Sequence, residues 1–100
     1  MAEVLNKIEE LKIPSQLVMN HAAKLAINED KPIMMDYWSD SDNGSVFFGI
    51  KASGEKLLVK SEDEYTSPIS KIFKVDKEYI VMTENSIYIV SASCSSKRIA

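Results

Sequence analysis

The last third of the chain has an apolar pattern on both faces of a predicted sheet. Three strand-like runs follow one another, at residues 69–75, 78–83 and 86–92. In the last run, Ile87 and Ile89 point to one face. Tyr88 and Val90 point to the other face. Because a sheet with one solvated face alternates apolar and polar residues, both faces of this predicted meander need a cover.

Apolar residues at helical spacing predict two helices at the N-terminus. The first helix is predicted over residues 2–11, with the apolar positions Val4, Leu5, Ile8 and Leu11. The second is predicted over residues 14–28, with the stripe Leu17, Val18, His21, Ala22, Leu25 and Ala26. Pro14 suits a first helical turn, and Pro32 disfavours helix at the residue before it.

The period changes to two after Pro32, which predicts three further strands before the meander. These strands are predicted at residues 32–39, 45–52 and 56–61. Asn43-Gly44 is typical of a hairpin turn, and residues 61–68 form a polar loop. Residues 93–100 show no pattern, so we expect a flexible tail there.

Segregated helices and strands predict an α+β fold. We expect two N-terminal helices followed by an antiparallel meander of about six strands, strongly curved or partly barrel-like. Residues 1–92 are predicted to form one domain, and residues 93–100 to be the tail. Two helices cover one face of such a sheet, so the second face must close on itself or on another chain.

The second face is where we expect an interaction surface. Parity along the predicted strands gives five residues for it: Met34, Trp38, Phe47, Leu58 and Ile72. Trp, Met and Phe are enriched at the centres of protein interfaces. A self-complementary contact between two copies is the simplest use of such a face.

Composition narrows the class of protein. The chain has 100 residues, 45% hydrophobic and 27% charged, and a net charge of −3. The negative charge disfavours nucleic acid and anionic membranes as partners, and no apolar run is long enough to span a bilayer. The single Cys94 excludes an internal disulfide, so we expect an intracellular, cytoplasmic protein.

Three candidate sites for chemistry are weak. Residues 40–44 look like part of a calcium loop, but the required ligands do not fall at the spacing of that motif. His21 and Cys94 are too few for a zinc site, and we expect His21 to pack on its helix. Residues 62–64 are three consecutive acids in a loop that we expect to be solvated. The sequence therefore predicts no catalytic, metal or cofactor site and no small-molecule substrate.

The sequence favours a small protein–protein interaction or assembly module, and not an enzyme. The partner is expected to be a second copy or another protein. One alternative is a single-stranded nucleic-acid-binding adaptor that uses sheet aromatics and lysines. A second alternative is an accessory protein of a virus or phage without catalytic activity. Residues 30–38 and 83–91 bear only a general resemblance to such proteins, because neither segment contains a motif with a known mechanism. A dispersed active site would instead require Asp36, Asp40 and His21 to lie close together.

Overall fold

The computed structural model describes residues 12–99. The first predicted helix, at residues 2–11, lies outside the described residues. In chain order the elements are α1 (Gln16–Glu29), β1 (Ile33–Met34), α2 (Trp38–Asp42), β2 (Phe47–Ile50), β3 (Lys56–Val59), β4 (Ile69–Val75), β5 (Glu78–Thr83), β6 (Ile87–Ser91) and β7 (Ser96–Arg98). The α+β class predicted from the sequence is confirmed.

Helix α1 lies close to where the sequence predicts it. The Ser15 hydroxyl accepts a hydrogen bond from the Val18 N–H at 3.2 Å, which caps the first turn. At the other end, Asp30 adopts a left-handed conformation with φ of 54°. The Asp30 N–H donates to the Ala26 carbonyl and so closes the helix.

The predicted meander is confirmed as part of a four-stranded sheet, which we call sheet A. Its strand order is β1-β6-β5-β4. Strands β4, β5 and β6 are antiparallel neighbours, with Val81 opposite both Ile72 and Tyr88. Strand β1 joins β6 in parallel. Sheet A is therefore mixed, and the expectation of a wholly antiparallel meander is wrong at this edge.

The prediction of a strand over residues 32–39 is only partly right. Strand β1 ends at Met34, and the chain turns so that Trp38 begins helix α2. Asn43-Gly44 ends this helix, with a positive φ of 87° at Gly44 only. A primed hairpin turn needs positive φ at both residues, so the predicted two-residue hairpin is wrong.

The second sheet, which we call sheet B, has the order β3-β2-β7. Strands β2 and β3 pair antiparallel, as their predicted positions suggest. Strand β7 pairs in parallel with β2, with Lys97 opposite Gly49. Residues 96–98 thus form a strand in the segment where the sequence predicted a tail. Because β7 pairs through its backbone, its side chains need no apolar alternation for the pairing to form.

Two separate cores cover the two faces of sheet A. On one face, Val18 and Ala22 of α1 pack with Ile80 and Ile89. The residues of the second core include Tyr37, Val46, Phe48, Leu58, Val81 and Val90. This second core joins sheet A to sheet B. Strands β2 and β3 of the same chain therefore cover the second face of sheet A. The structure has two packed sheets and not the expected partly closed barrel.

A buried serine fixes α2 against sheet A. The Ser41 hydroxyl donates to the Trp38 carbonyl at 2.5 Å and accepts from the Ser91 N–H at 2.8 Å. Ser41 is only 1% exposed, so both bonds form without competition from water. This contact positions Trp38 over the core between α1 and sheet A.

Candidate functional site

The five residues expected on one interaction surface lie in different places. Trp38 is 6% exposed in the core beneath α1, and Leu58 is 0% exposed between the sheets. Met34 and Ile72 are partly exposed on strands at opposite edges of sheet A. Phe47 is half-buried on sheet B. The structure therefore does not bring the five residues onto one surface, because Trp38 and Leu58 are buried in the two cores of the single chain.

Sheet B has an apolar outer face that points away from sheet A. Alternation along β2 and β3 sends Phe48 and Leu58 into the core between the sheets. Their neighbours therefore point outward. The outer face, as we use the term, consists of Phe47, Leu57, Val59, Tyr65 and Ile99, which line one groove.

Gly49 lets the outer face pack closely at its centre. A Cβ atom at Gly49 would lie 2.9 Å from both the Ile99 Cδ1 and the Val59 Cγ2 atoms. The Ile99 N–H donates to the Ile50 carbonyl at 2.9 Å, which continues the pairing of β7 beyond Arg98. The absence of a side chain at Gly49 thus brings Ile99 over β2.

The polar loop after β3 supplies the remaining wall of the groove. Tyr65 forms an antiparallel bridge with Val59, while 61% of its surface stays exposed. The Ser61 hydroxyl accepts from the Asp63 and Glu64 N–H groups at 3.3 and 3.1 Å. These bonds fix the start of the loop, so Tyr65 is held beside the strand and not left on a free loop.

Opposite charges mark the two ends of the groove. Its volume is about 460 Å³, and Lys51, Ser61 and Glu62 are its polar lining residues. Phe47 pairs with Val59, so the loop that carries Glu62 lies at the start of β2. Lys51 follows the other end of β2, about 13 Å away along the strand. The groove is therefore acidic at one end and basic at the other.

A lysine flanks the groove on the side of β7. The Lys97 ammonium lies 4.7 Å from the centroid of the Phe47 ring, within the range of a cation–π interaction. This contact helps to hold Phe47 on the outer face, where the ring is only half-buried.

The three residues that would have indicated a dispersed active site do not form one. The Lys60 ammonium lies 3.7 Å from an Asp40 carboxylate oxygen and donates to the Asp36 carbonyl at 3.1 Å. His21 instead lines a separate groove with Leu25. His21 is exposed, so the expectation that it packs on its helix is wrong. Among residues 12–99, no group of three His, Cys, Asp or Glu side chains could hold a metal ion.

Burial favours the neutral forms of the Cys94 thiol and the Tyr37 hydroxyl. Burial raises the pKa of the Cys94 thiol from 9.0 to about 11. Burial also raises the pKa of Tyr37 from 10.0 to about 12, with smaller contributions from Tyr88, Asp36 and Glu64. A reactive cysteine needs a lowered pKa, so the environment of Cys94 is that of a structural residue.

Four members of the outer face escaped the sequence analysis: Leu57, Val59, Tyr65 and Ile99. One signal for two of them is present in the sequence. Leu57, Leu58 and Val59 are consecutive apolar residues in a short strand, so this strand, like the meander, is apolar on both faces. Tyr65 reaches the outer face through its bridge to Val59, and Ile99 reaches it through the pairing of its N–H with Ile50. Neither contact produces a periodic pattern in the sequence.

Comparisons with protein-family models, curated proteins and solved structures found no match. Among residues 12–99, no helix is both long and apolar enough to cross a membrane.

Proposed function

We propose that this protein is a self-associating interaction module whose two copies meet through the outer face of sheet B. The observation that carries this proposal is an apolar groove on a sheet whose other side is already covered. Contiguous apolar grooves with polar rims are typical of interaction sites. The sequence predicted self-association through an apolar sheet face, and the outer face is where we now place it.

The charges of the groove favour a second copy as the partner. A two-fold axis that runs across the strands reverses their direction in the partner. Lys51 of one copy then faces Glu62 of the other, and this pair occurs twice. An axis along the strands would instead place like charges together. The groove is therefore complementary to itself in one of the two face-to-face arrangements, with the sheets about 10 Å apart.

Aromatic side chains supply the expected centre of the contact. Tyr65 and Phe47 lie on the outer face with large exposed or half-exposed rings. Such rings bury much apolar surface at small cost in conformational entropy, which is why Tyr is frequent at the sites that dominate binding. Lys97 above Phe47 then lies at the rim.

Tyr65→Glu is expected to weaken self-association by about tenfold or more, because it places a charge in an apolar contact next to Glu62. Sedimentation equilibrium over about 1–100 µM protein measures this change, since this range covers dissociation constants in the micromolar region. Tyr65 is mostly exposed, so the variant is expected to fold.

Ile27→Glu is the matched control, because Ile27 is 84% exposed on α1. It introduces the same charge at an exposed apolar residue away from sheet B and should leave the dimer unchanged. A wild-type chain that stays monomeric over this range, or a dimer that both variants leave intact, would contradict the proposal.

The same face offers a second candidate function, the binding of single-stranded nucleic acid. The cation–π pair of Lys97 and Phe47, with Tyr65 nearby, supports it because such rings can stack on bases. Glu62 at the groove opposes it by repelling phosphates. Salt-dependent binding of a labelled single strand by a monomeric chain would favour this function over self-association.

A further inference from the structure

A second surface lies at the β4 edge of sheet A, on a different sheet from the contact proposed above. Strand β4 is one of the two edge strands of sheet A, and within residues 12–99 it pairs only with β5. Among residues 12–99, the backbone groups of Ile69–Val75 make no hydrogen bond outside this pairing. An edge strand of seven residues with an open row of donors and acceptors is a template for an added strand.

Two grooves flank this edge on opposite faces of sheet A. One groove, of about 280 Å³, lies between Ile69–Ile72 and the residues Gly54–Lys56 that lead into β3. The other, of about 520 Å³, lies between Ile72–Val75 and the α1 residues His21 and Leu25. Successive side chains of a strand point to opposite faces. A strand added beside β4 would therefore place its side chains alternately in the two grooves.

The exposed part of β4 carries a symmetrical pattern of charge. Lys71 and Lys74 flank Ile72 and Phe73, which are 39% and 37% exposed. Phe73 pairs with Ile80 and so points to the face covered by α1, whereas Ile72 pairs with Val81 and points to sheet B. Each face of the edge thus presents one lysine and one apolar side chain.

This charge pattern disfavours pairing of β4 with the β4 strand of a second copy of the chain. The order basic, apolar, apolar, basic reads the same in both directions. Two β4 strands paired in antiparallel register over residues 71–74 would therefore place lysine opposite lysine, which is destabilising. The bulge between Ile69 and Lys71 further restricts regular pairing to the later residues of the strand.

We propose that β4 binds an extended segment of another protein by strand addition. The segment would present acidic, apolar, apolar and acidic residues in sequence, so that acids lie opposite Lys71 and Lys74. Its backbone supplies the hydrogen bonds and its alternate side chains fill the two grooves, as in other strand-addition complexes. This interaction is separate from the self-association through sheet B, so each survives the failure of the other.

The probe is a fluorescein-labelled octapeptide with a central Glu-Val-Val-Glu sequence, titrated with the full chain and followed by fluorescence anisotropy. It is expected to bind at low salt and to weaken as salt is added. A Lys-Val-Val-Lys octapeptide should bind about tenfold or more weakly, because its charges repel those of β4. A Glu-Val-Val-Glu peptide methylated at alternate backbone nitrogens should also lose binding, since methylation removes the donors that pair with β4.

The double variant Lys71→Glu with Lys74→Glu should reverse the preference and bind the Lys-Val-Val-Lys peptide. Both lysines are exposed, so the variant is expected to fold. Lys24→Glu on α1 is the matched control and should keep the original preference, because Lys24 is exposed and lines neither of the two grooves nor the outer face of sheet B. The proposal is overturned if the wild-type chain binds neither peptide, if the methylated peptide binds as well as the unmethylated one, or if the charge reversal leaves the preference unchanged. Loss of self-association in the double variant would assign β4 to a second copy and would also overturn it.

Discussion

Replacement of Trp38 by alanine is expected to lower the free energy of unfolding by about 3–5 kcal/mol. Trp38 is 6% exposed and packs in the core that α1 forms on sheet A. Its indole N–H also donates to the Lys12 carbonyl at 2.9 Å. Alanine would leave a cavity under α1 and remove this hydrogen bond, in a small domain whose total stability is about 5–15 kcal/mol.

Chemical denaturation followed by circular dichroism measures this loss. Trp38→Phe is the informative companion variant, because it keeps an aromatic ring and removes the indole N–H. It is expected to cost about 1–2 kcal/mol. A stability of Trp38→Ala within about 0.5 kcal/mol of wild type, as is usual for surface positions, would contradict the placement of Trp38 in the core.

Leu58→Ala is expected to cost about 2–5 kcal/mol of stability. Leu58 is fully buried between the two sheets, in a cluster with Phe48 and Val81. Its N–H and carbonyl are both bonded to Thr66, at 3.1 and 2.9 Å, so the backbone is held and cannot easily collapse into the cavity. The loss therefore reports how tightly sheet B covers the second face of sheet A.

The same denaturation measurement at one protein concentration, with Leu17→Ala as the control, tests this prediction. Leu17 is 52% exposed on α1, so the same chemical change there should cost less than about 0.5 kcal/mol. Equal effects of the two variants would show that β3 does not pack on sheet A.

The parts of the fold that the sequence could predict are those with periodic signals. The apolar stripe that contains Val18 and Ala22 predicts α1. The run around Ile87, which is apolar on both faces of the strand, predicts the buried strands of sheet A. The need for cover on both faces was also correctly inferred. These features depend on local alternation, which a single sequence displays directly.

The arrangement of the strands into two sheets depends on long-range pairing and left no local signal. Parallel pairing of β7 with β2 joins residues that are nearly fifty positions apart. Helix α2 interrupts a run that alternates like a strand. In the helix, the Ser41 hydroxyl donates to the Trp38 carbonyl and accepts from the Ser91 N–H of β6. Trp38 therefore does not lie on the face that strand alternation predicts for it, because a period of two does not continue into a helix.

The candidate site differs from the predicted one for the same reason. The sequence predicts a second apolar face of the sheet as the interaction surface, but in the structure sheet B covers that face of sheet A. On the far side of sheet B, Leu57 and Val59 are only 3% and 8% exposed, so the apolar surface that remains accessible belongs mainly to Tyr65 and the half-buried Phe47. Phe47 alone belongs to both the predicted surface and the outer face.

The most direct test of self-association through the outer face uses two charge-reversed chains, Lys51→Glu and Glu62→Lys. Each variant alone would place like charges at both ends of the two-fold contact. An equal mixture would restore both opposite pairs between unlike chains. Both side chains are exposed, so the folds are expected to stay intact.

Sedimentation equilibrium of the two variants, separately and mixed, is the measurement. We expect weakened association of each variant alone and a dimer of about wild-type strength in the mixture, with one chain of each kind. Dimers of undiminished strength in each separate variant, or a mixture that associates no better than its components, would contradict self-association through the outer face.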